Sequence, residues 1–243
     1  MSKTIKPYKD SNATKKDQVA DMFDAISENY DGLNRVITFG IDIKWREKVV
    51  AMVKATNPKN ILDIATGTGD LAIMQSKAIP AATIVGLDIS AGMLEVGKQK
   101  INKLGLNKSI DMVLGDSENI PFEDNFFDAI SVSYGVRNFE NLNKGLQEIK
   151  RVLKPGGIFV VLETSVPTKF PFKQGYQFHS KVVLPLVGKL FSKDKTAYSY
   201  LSESANSFPY GKAFNKILNQ NGFKDIKDIP VTFGVSTIYK AIK

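Results

Sequence analysis

Residues 61–72 read ILDIATGTGDLA. The apolar run from Ile61 predicts a strand, Gly67 and Gly69 predict a tight turn, and Asp70 opens a helix. Strand, glycine turn and helix form the opening unit of a parallel α/β sheet. Working outward, the same alternation repeats. Strands are expected at 60–65, 82–87, 110–114, 127–133 and 158–162, with helices at 70–77, 91–104 and 142–153. The fold class is therefore α/β, a Rossmann-like doubly wound sheet with helices on both faces. After a helix at 213–220, two strands at 223–229 and 232–241 sit too close in sequence for a crossover. They predict an antiparallel hairpin at the C-terminal end. Two helical patterns precede the first strand. One carries Val19, Met22, Phe23, Ile26 and Tyr30; the other carries Ile41, Trp45, Val49, Met52 and Val53. They predict an N-terminal cap over residues 14–56, after a disordered stretch at 1–13. Residues 164–209 break the rhythm with aromatics and four prolines, and are expected to be a largely helical insertion on the substrate side. A single domain, 14–243, is expected to hold all of these parts.

In open α/β sheets the ligand lies beyond the carboxyl ends of the strands. Gly67 and Gly69 permit a sharp turn there and let a ligand approach backbone N–H groups. A phosphate-binding P-loop requires a lysine after its last glycine, and Asp70 stands there instead. A dinucleotide loop requires G-x-G-x-x-G/A, which GTGDLA satisfies formally. The third ligand class is S-adenosylmethionine, which has no phosphate and carries a positive sulfonium. Carboxylates favour it. Asp63 lies inside the first strand, and Asp70 would meet a pyrophosphate with like charge, although an acid also suits the first turn of any helix. Asp88 ends the second strand and can accept from both ribose hydroxyls, or else cap the next helix. Asp116 and Ser117 follow the third strand, placed to meet an adenine edge.

The 243 residues are 43% hydrophobic and 24% charged, an ordinary globular balance that supports one good core. The net charge of +8 suits an anionic partner or merely a lysine-rich soluble surface. No basic stripe with interleaved aromatics is present, so nucleic acid is not expected as a partner. There is no cysteine and one histidine, His179. Disulfides, thiolate nucleophiles, cysteine zinc sites and multi-histidine metal sites are thereby excluded. The N-terminus has no apolar signal core, and no apolar run approaches the roughly 20 residues that span a bilayer. A cytoplasmic chain is expected.

The ordered set DIATGTGD, GLDIS, GDSENIPFEDNFFDAI and RVLKPGGIFVVLE resembles class I S-adenosylmethionine-dependent methyltransferases. Further segments narrow it: FDAISENYDGLN, FGIDIKWR, SYGVRNF, LETSVPT, GYQFHSKVVLPLVGKLF and YSYLSESANSFP. These resemble the menaquinone/ubiquinone biosynthesis C-methyltransferases, over residues 16–239. The resemblance implies S-adenosylmethionine as methyl donor, and cofactor contacts at Thr68, Asp88, Asp116, Ser117 and Ser133, beside Asp63, Gly67 and Gly69. The adenine position reads Asp-Ser here, where other members would carry Asn-Ala. It also implies methylation of a polyprenylated quinol ring, demethylmenaquinol ahead of the ubiquinone precursor, with no metal. A long lipid tail then explains the apolar insertion, and the lysine excess suits transient contact with an anionic membrane face. A homodimer is a further expected partner.

Arg137 in YGVRN is the candidate catalytic residue. An arginine stays protonated and so stabilises a phenolate rather than taking its proton; the alternative is a structural ion pair. Tyr30, Arg137, His179 and Tyr200 are candidates for the substrate side, with Tyr198 and Glu203 behind them. Each of the aromatic ones could equally be packing.

Overall fold

The computed structural model describes residues 5–8, 10–178 and 195–243, apart from the side chains of residues 195, 196 and 198. Seven strands form one sheet in the order β3-β2-β1-β4-β5-β7-β6. They are β1 (Asn60–Ile64), β2 (Thr83–Asp88), β3 (Ile110–Leu114), β4 (Phe127–Ser133), β5 (Leu153–Thr164), β6 (Lys224–Val231) and β7 (Ser236–Ile242). The first five are parallel, and β7 runs antiparallel to both β5 and β6. The chain moves outward through β1, β2 and β3, then returns to lay β4 on the other side of β1. That reversal opens a crevice between the ends of β1 and β4, where such sheets bind ligands.

Strand alternation sends Ile61, Ile84, Ala129 and Val160 to one face and Leu62, Val85, Ile130 and Phe159 to the other. The first face packs against α3 (Ile41–Lys54), α4 (Asp70–Ala78) and α5 (Ala91–Lys103). The second packs against α6 (Leu142–Val152) and a late helix at Lys212–Gln220, here α9. Helix starts carry the expected caps: the Ser90 hydroxyl accepts the Met93 N–H, and Asn141 accepts that of Lys144.

Three findings differ from the sequence expectation. The cap holds three helices: a short turn at Ser27–Asn29 divides α1 (Lys15–Ile26) from α2 (Tyr30–Thr38), and Phe39 and Gly40, both left-handed, divide α2 from α3. Lys-Pro-Gly-Gly at 154–157 is a bulge inside β5 rather than a turn before it. Leu153 pairs with Phe127 and Ile158 with Ala129, so four residues swell out opposite one. The described part of the N-terminal segment is not loose: Gln18 Oε1 accepts the Tyr8 N–H at 2.9 Å, and Gln18 Nε2 donates to the Ala13 carbonyl at 2.9 Å. Two further helices, α7 (Phe172–Phe178) and α8 (Lys195–Ser207), belong to the expected insertion. No helix among the described residues is long and apolar enough to cross a membrane.

Candidate active site

A cleft of about 710 Å³, its solvent mouth included, lies beyond the ends of β1 to β4 and under α1. Gly67, Asp88, Asp116, Ser117 and Ser133 all line it. Gly67 sits at φ +57° and Gly69 at φ +79°, which L side chains adopt only with strain. A Cβ added at Gly67 would meet no protein atom within 4 Å, so the space over the loop belongs to the cleft. Asp88 ties the loop to the second strand end: Oδ2 accepts the Gly67 N–H at 2.7 Å and Oδ1 accepts that of Ser90 at 2.9 Å. Each oxygen keeps a further acceptor site for a ligand hydroxyl. Burial pushes the Asp88 carboxyl above its ordinary pKa, with those N–H groups restraining the rise. Asp116 accepts the Glu118 N–H at 2.8 Å and pairs with Lys16 of α1 at 3.1 Å. Neighbouring Lys15 donates to the carbonyls of Arg137 and Phe139 at 3.1 and 2.7 Å. The lysine doublet thus docks α1 over the cleft.

Ser133 is the most telling of these residues. Its Oγ is buried and has no hydrogen-bond partner among the described residues, yet it belongs to the cleft wall. Leaving such a group unpaired costs about 1–3 kcal/mol, a cost that a polar ligand atom removes. Acceptors at Asp88 for ribose hydroxyls, polar groups at Asp116 and Ser117, and the hydroxyl at Ser133 fit S-adenosylmethionine. Three expected contacts do not reach the cleft wall. Asp63 is buried beneath it, where Oδ2 accepts from Thr66 Oγ1 and Oδ1 from Ser131 Oγ, both at 2.7 Å. Gly69 shapes the turn from behind, against Met112. Thr68 turns its hydroxyl away, to Asp31 Oδ1 at 2.6 Å.

That last bond begins a chain of charges along α2. Lys100 of α5 bridges Asp31 at 2.8 Å and Asp70 at 2.5 Å; Arg35 bridges Asp70 at 2.6 Å and also Asp42. Asp42 in turn pairs with Arg46 and accepts from Thr38 Oγ1 at 2.7 Å. One side of α2 therefore grips the glycine loop and the start of α4. Its Tyr30, Asn34, Ile37 and Thr38 instead line a second, larger cavity.

This second cavity holds about 2060 Å³, open to solvent, and its walls are mainly apolar: Ile37, Trp45, Phe172, Leu201 and Phe233 among them. A few polar groups stand inside it, including Arg46, Tyr134 and Arg137. Tyr30 and Tyr134 line both spaces, so the cleft and the cavity meet at these two rings. Burial raises the pKa of both phenols, which stay protonated at neutral pH. Arg137 reaches the cavity wall from a short turn, Val136–Asn138, after β4. Its Nη1 pairs with fully buried Glu163 of β5 at 2.7 Å and donates to the Tyr134 carbonyl at 2.6 Å. The alternative role, a structural ion pair, is therefore present, while Nε is buried with no partner among the described residues. Burial works against the charge of Arg137, but Glu163 together with Tyr30 and Tyr200 outweighs it, so the guanidinium is held protonated.

Tyr200 does not line the cavity. Its ring packs in the cap core with Met22, Leu33 and Met93, its hydroxyl donates to Asn138 Oδ1 at 3.1 Å, and burial pushes its pKa up to about 12. Glu203 is exposed on α8 and outside both walls. His179 and the Tyr198 side chain lie outside the described residues. Sequence reasoning missed Tyr134, Glu163 and the Asp31–Lys100 grip. Tyr134 was open to view as an aromatic at a strand end before glycine; the other three carry no local signature.

A family model described as the ubiE/COQ5 methyltransferase family matches residues 11–243. The chain is 44% identical to a demethylmenaquinone methyltransferase of Bacteroides fragilis, over 98% of this chain and 97% of the relative. It is 42% identical to a ubiquinone/menaquinone biosynthesis C-methyltransferase UbiE of Geotalea daltonii, over 94% and 97%. Among solved structures, a S-adenosylmethionine-dependent methyltransferase from Aquifex aeolicus matches with a TM-score of 0.56 at 21% identity, over 82% of this chain and 89% of that one. The [4+2]-cyclase SpnF matches with a TM-score of 0.68 at 17% identity, over 96% and 97%. These structural likenesses speak for the fold; a cyclase among them shows that the fold alone does not set the chemistry.

Proposed function

This chain belongs to the ubiE/COQ5 methyltransferase family, and on that premise we propose how it carries out ring methylation of a quinol. It is a S-adenosylmethionine-dependent C-methyltransferase of menaquinone/ubiquinone biosynthesis. Demethylmenaquinol is the preferred acceptor, in keeping with the names of relatives from Bacteroides fragilis and Porphyromonas gingivalis. When bound, S-adenosylmethionine supplies an electrophilic methyl group on sulfur. Asp88 would hold the ribose hydroxyls, Asp116 and Ser117 the adenine side, and Ser133 a polar atom nearer the reacting end. The large apolar cavity takes the prenyl tail and turns the quinol ring toward Tyr30 and Tyr134. Arg137, kept cationic by Glu163, stabilises a phenolate form of the ring and so raises the nucleophilicity of its carbon. Held against the ring carbon, the methyl would pass from sulfur to carbon as the methyl–sulfur bond breaks, and S-adenosylhomocysteine would leave. The ring proton would be lost to solvent through the open cavity, and positioning would supply much of the rate.

The single observation that carries this reading is that a cleft bearing Asp88, Asp116, Ser117 and Ser133 meets a larger apolar cavity at two shared tyrosines. The assignment of Gly67, Thr68, Gly69 and Asp63 is to shaping and supporting the cofactor loop. The protein works in the cytoplasm, touching the membrane transiently to reach its lipid substrate, and a homodimer is compatible with that arrangement. Anaerobic assays with reduced demethylmenaquinone and with a reduced ubiquinone precursor test the substrate choice. A higher kcat/KM for the naphthoquinol is expected; the reverse order overturns the assignment.

A further inference from the structure

Two phenylalanines stand where physical chemistry disfavours them twice. Phe39 closes α2 at φ +51°, and Phe233 occupies the turn between β6 and β7 at φ +57°. The left-handed region suits glycine or asparagine, and a bulky side chain there is an outlier. Both rings are also largely in solvent, Phe39 at 83% exposure and Phe233 at 68%. Bulky rings held at strained backbone positions and still largely exposed point to a function. These turns come from opposite ends of the sequence, yet both stand on the wall of the large cavity. The third side of the mouth comes from the segment after β5. There Phe172 stacks on Phe233 with centroids 3.7 Å apart, and Phe170 and Phe178 are 79% and 64% exposed.

Charge gives the rim its partner. Lys169 and Lys173 are exposed in the described part of the segment after β5, and residues 164–178 contain no acid. Lys44 adds another cation from the opposite wall. Exposed aromatics among cations form an interfacial anchor: rings enter the headgroup layer while the lysines meet anionic lipid. A protein partner would want complementary acids and a shaped surface, whereas a bilayer asks only for this combination. Burying one exposed ring strengthens such partitioning by about tenfold or more.

We propose that Phe39, Phe233 and the Phe170–Phe178 segment form the surface on which this protein docks to an anionic bilayer, with the cavity mouth facing the lipid. The proposal rests on the reading of the substrate as a lipid quinol, because it makes the docking face and the substrate entrance one surface. A quinol then passes from membrane to cavity without crossing water.

The test compares wild type with Phe39→Gly/Phe233→Gly by flotation on vesicles of phosphatidylcholine and phosphatidylglycerol. Glycine suits both backbones, so the fold should hold: melting temperature unchanged or raised, and S-adenosylmethionine affinity within twofold, since neither ring touches the cofactor cleft. Vesicle affinity should fall by about tenfold or more. For wild type it should also weaken when phosphatidylglycerol is omitted or salt is raised. Unchanged flotation of the folded variant overturns the proposal. So does a variant that floats like wild type but loses a dimer in sedimentation, which would make the face an interface between copies. Methyl transfer to a short-tailed soluble quinol by wild type is measured separately: its failure sinks the catalytic reading, while flotation alone decides the docking surface.

Discussion

Asp63 shows how a single residue can stand out in the sequence and yet be employed differently in the fold. Its place before the glycine loop suggests a ligand contact, but it sits in the strand below the loop and holds Thr66 and Ser131. Burial pushes its pKa up to about 6, with the two hydroxyls restraining it, against about 3.9 for an unfolded aspartate. Between these values the folded chain binds the extra proton, so stability falls as pH rises from about 4 to about 6 and stays lowered above that. The cost of its charge is about 2–3 kcal/mol. Asp63→Asn should therefore remove this slope, seen by chemical denaturation at pH 4 and pH 8; parallel losses in both proteins would contradict the assignment. The buried Arg137–Glu163 pair works in the other sense. Glu163→Gln leaves a guanidinium without its counter-charge and should cost about 3 kcal/mol in denaturation. Turnover should fall as well, because Arg137 loses its fixed position. Arg137→Ala tests the chemical role: near wild-type turnover with intact cofactor affinity would exclude it. At Ser133, alanine removes an already unpaired hydroxyl, so stability should hold or rise slightly while S-adenosylmethionine affinity drops about fivefold or more. An unchanged dissociation constant in calorimetry would remove Ser133 from the cofactor site.

At the scale of elements, α2 carries the coupling between the two spaces. Asp31 and Arg35 grip the cofactor side, while Tyr30, Asn34 and Thr38 face the cavity. These ion pairs are partly solvated, and each is worth about 1 kcal/mol or less to stability. Asp31→Ala should thus lower the melting temperature little, yet weaken S-adenosylmethionine binding and raise the quinol KM together, because Thr68 and Lys100 lose their shared acceptor. A change confined to one substrate would show that α2 does not link the sites. The existence of α2 as a separate helix was not legible in the pattern of Val19, Met22 and Ile26, since it is parted from α1 by only a three-residue turn, Ser27–Asn29, and ends at a left-handed pair, Phe39 and Gly40. Asp88, Asp116 and Ser117 were legible because each ends or follows a strand, and strand ends are fixed by period-2 patterning; Ser133 was reached only through the family resemblance. Tertiary partners such as Asp31 with Thr68, or Glu163 with Arg137, were not. They lie 37 and 26 residues apart, and no local pattern records which charge a fold will bring to which.

For the whole molecule, the order β3-β2-β1-β4-β5-β7-β6 decides the chemistry's location. The reversal beside β1 makes the cofactor crevice, and the antiparallel β6–β7 end carries Phe233 and Ser236 to the cavity. Alternation of strands and helices made the parallel part of this sheet readable, and the short link between the last two strands foretold the hairpin. The shape of the cavity was not readable, because it is enclosed by α2, α3, α7, α8 and the last turn, five elements whose packing depends on the sheet already being formed. The central claim is that these parts deliver a methyl group to a ring carbon where the cleft and the cavity meet. It is tested most directly by incubating the full chain anaerobically with reduced demethylmenaquinone and S-adenosylmethionine labelled with carbon-13 in the methyl group, then recording the carbon spectrum of the product. The account predicts a single labelled methyl bonded to the aromatic ring. A labelled methoxy group, or a quinol recovered without label, would contradict it.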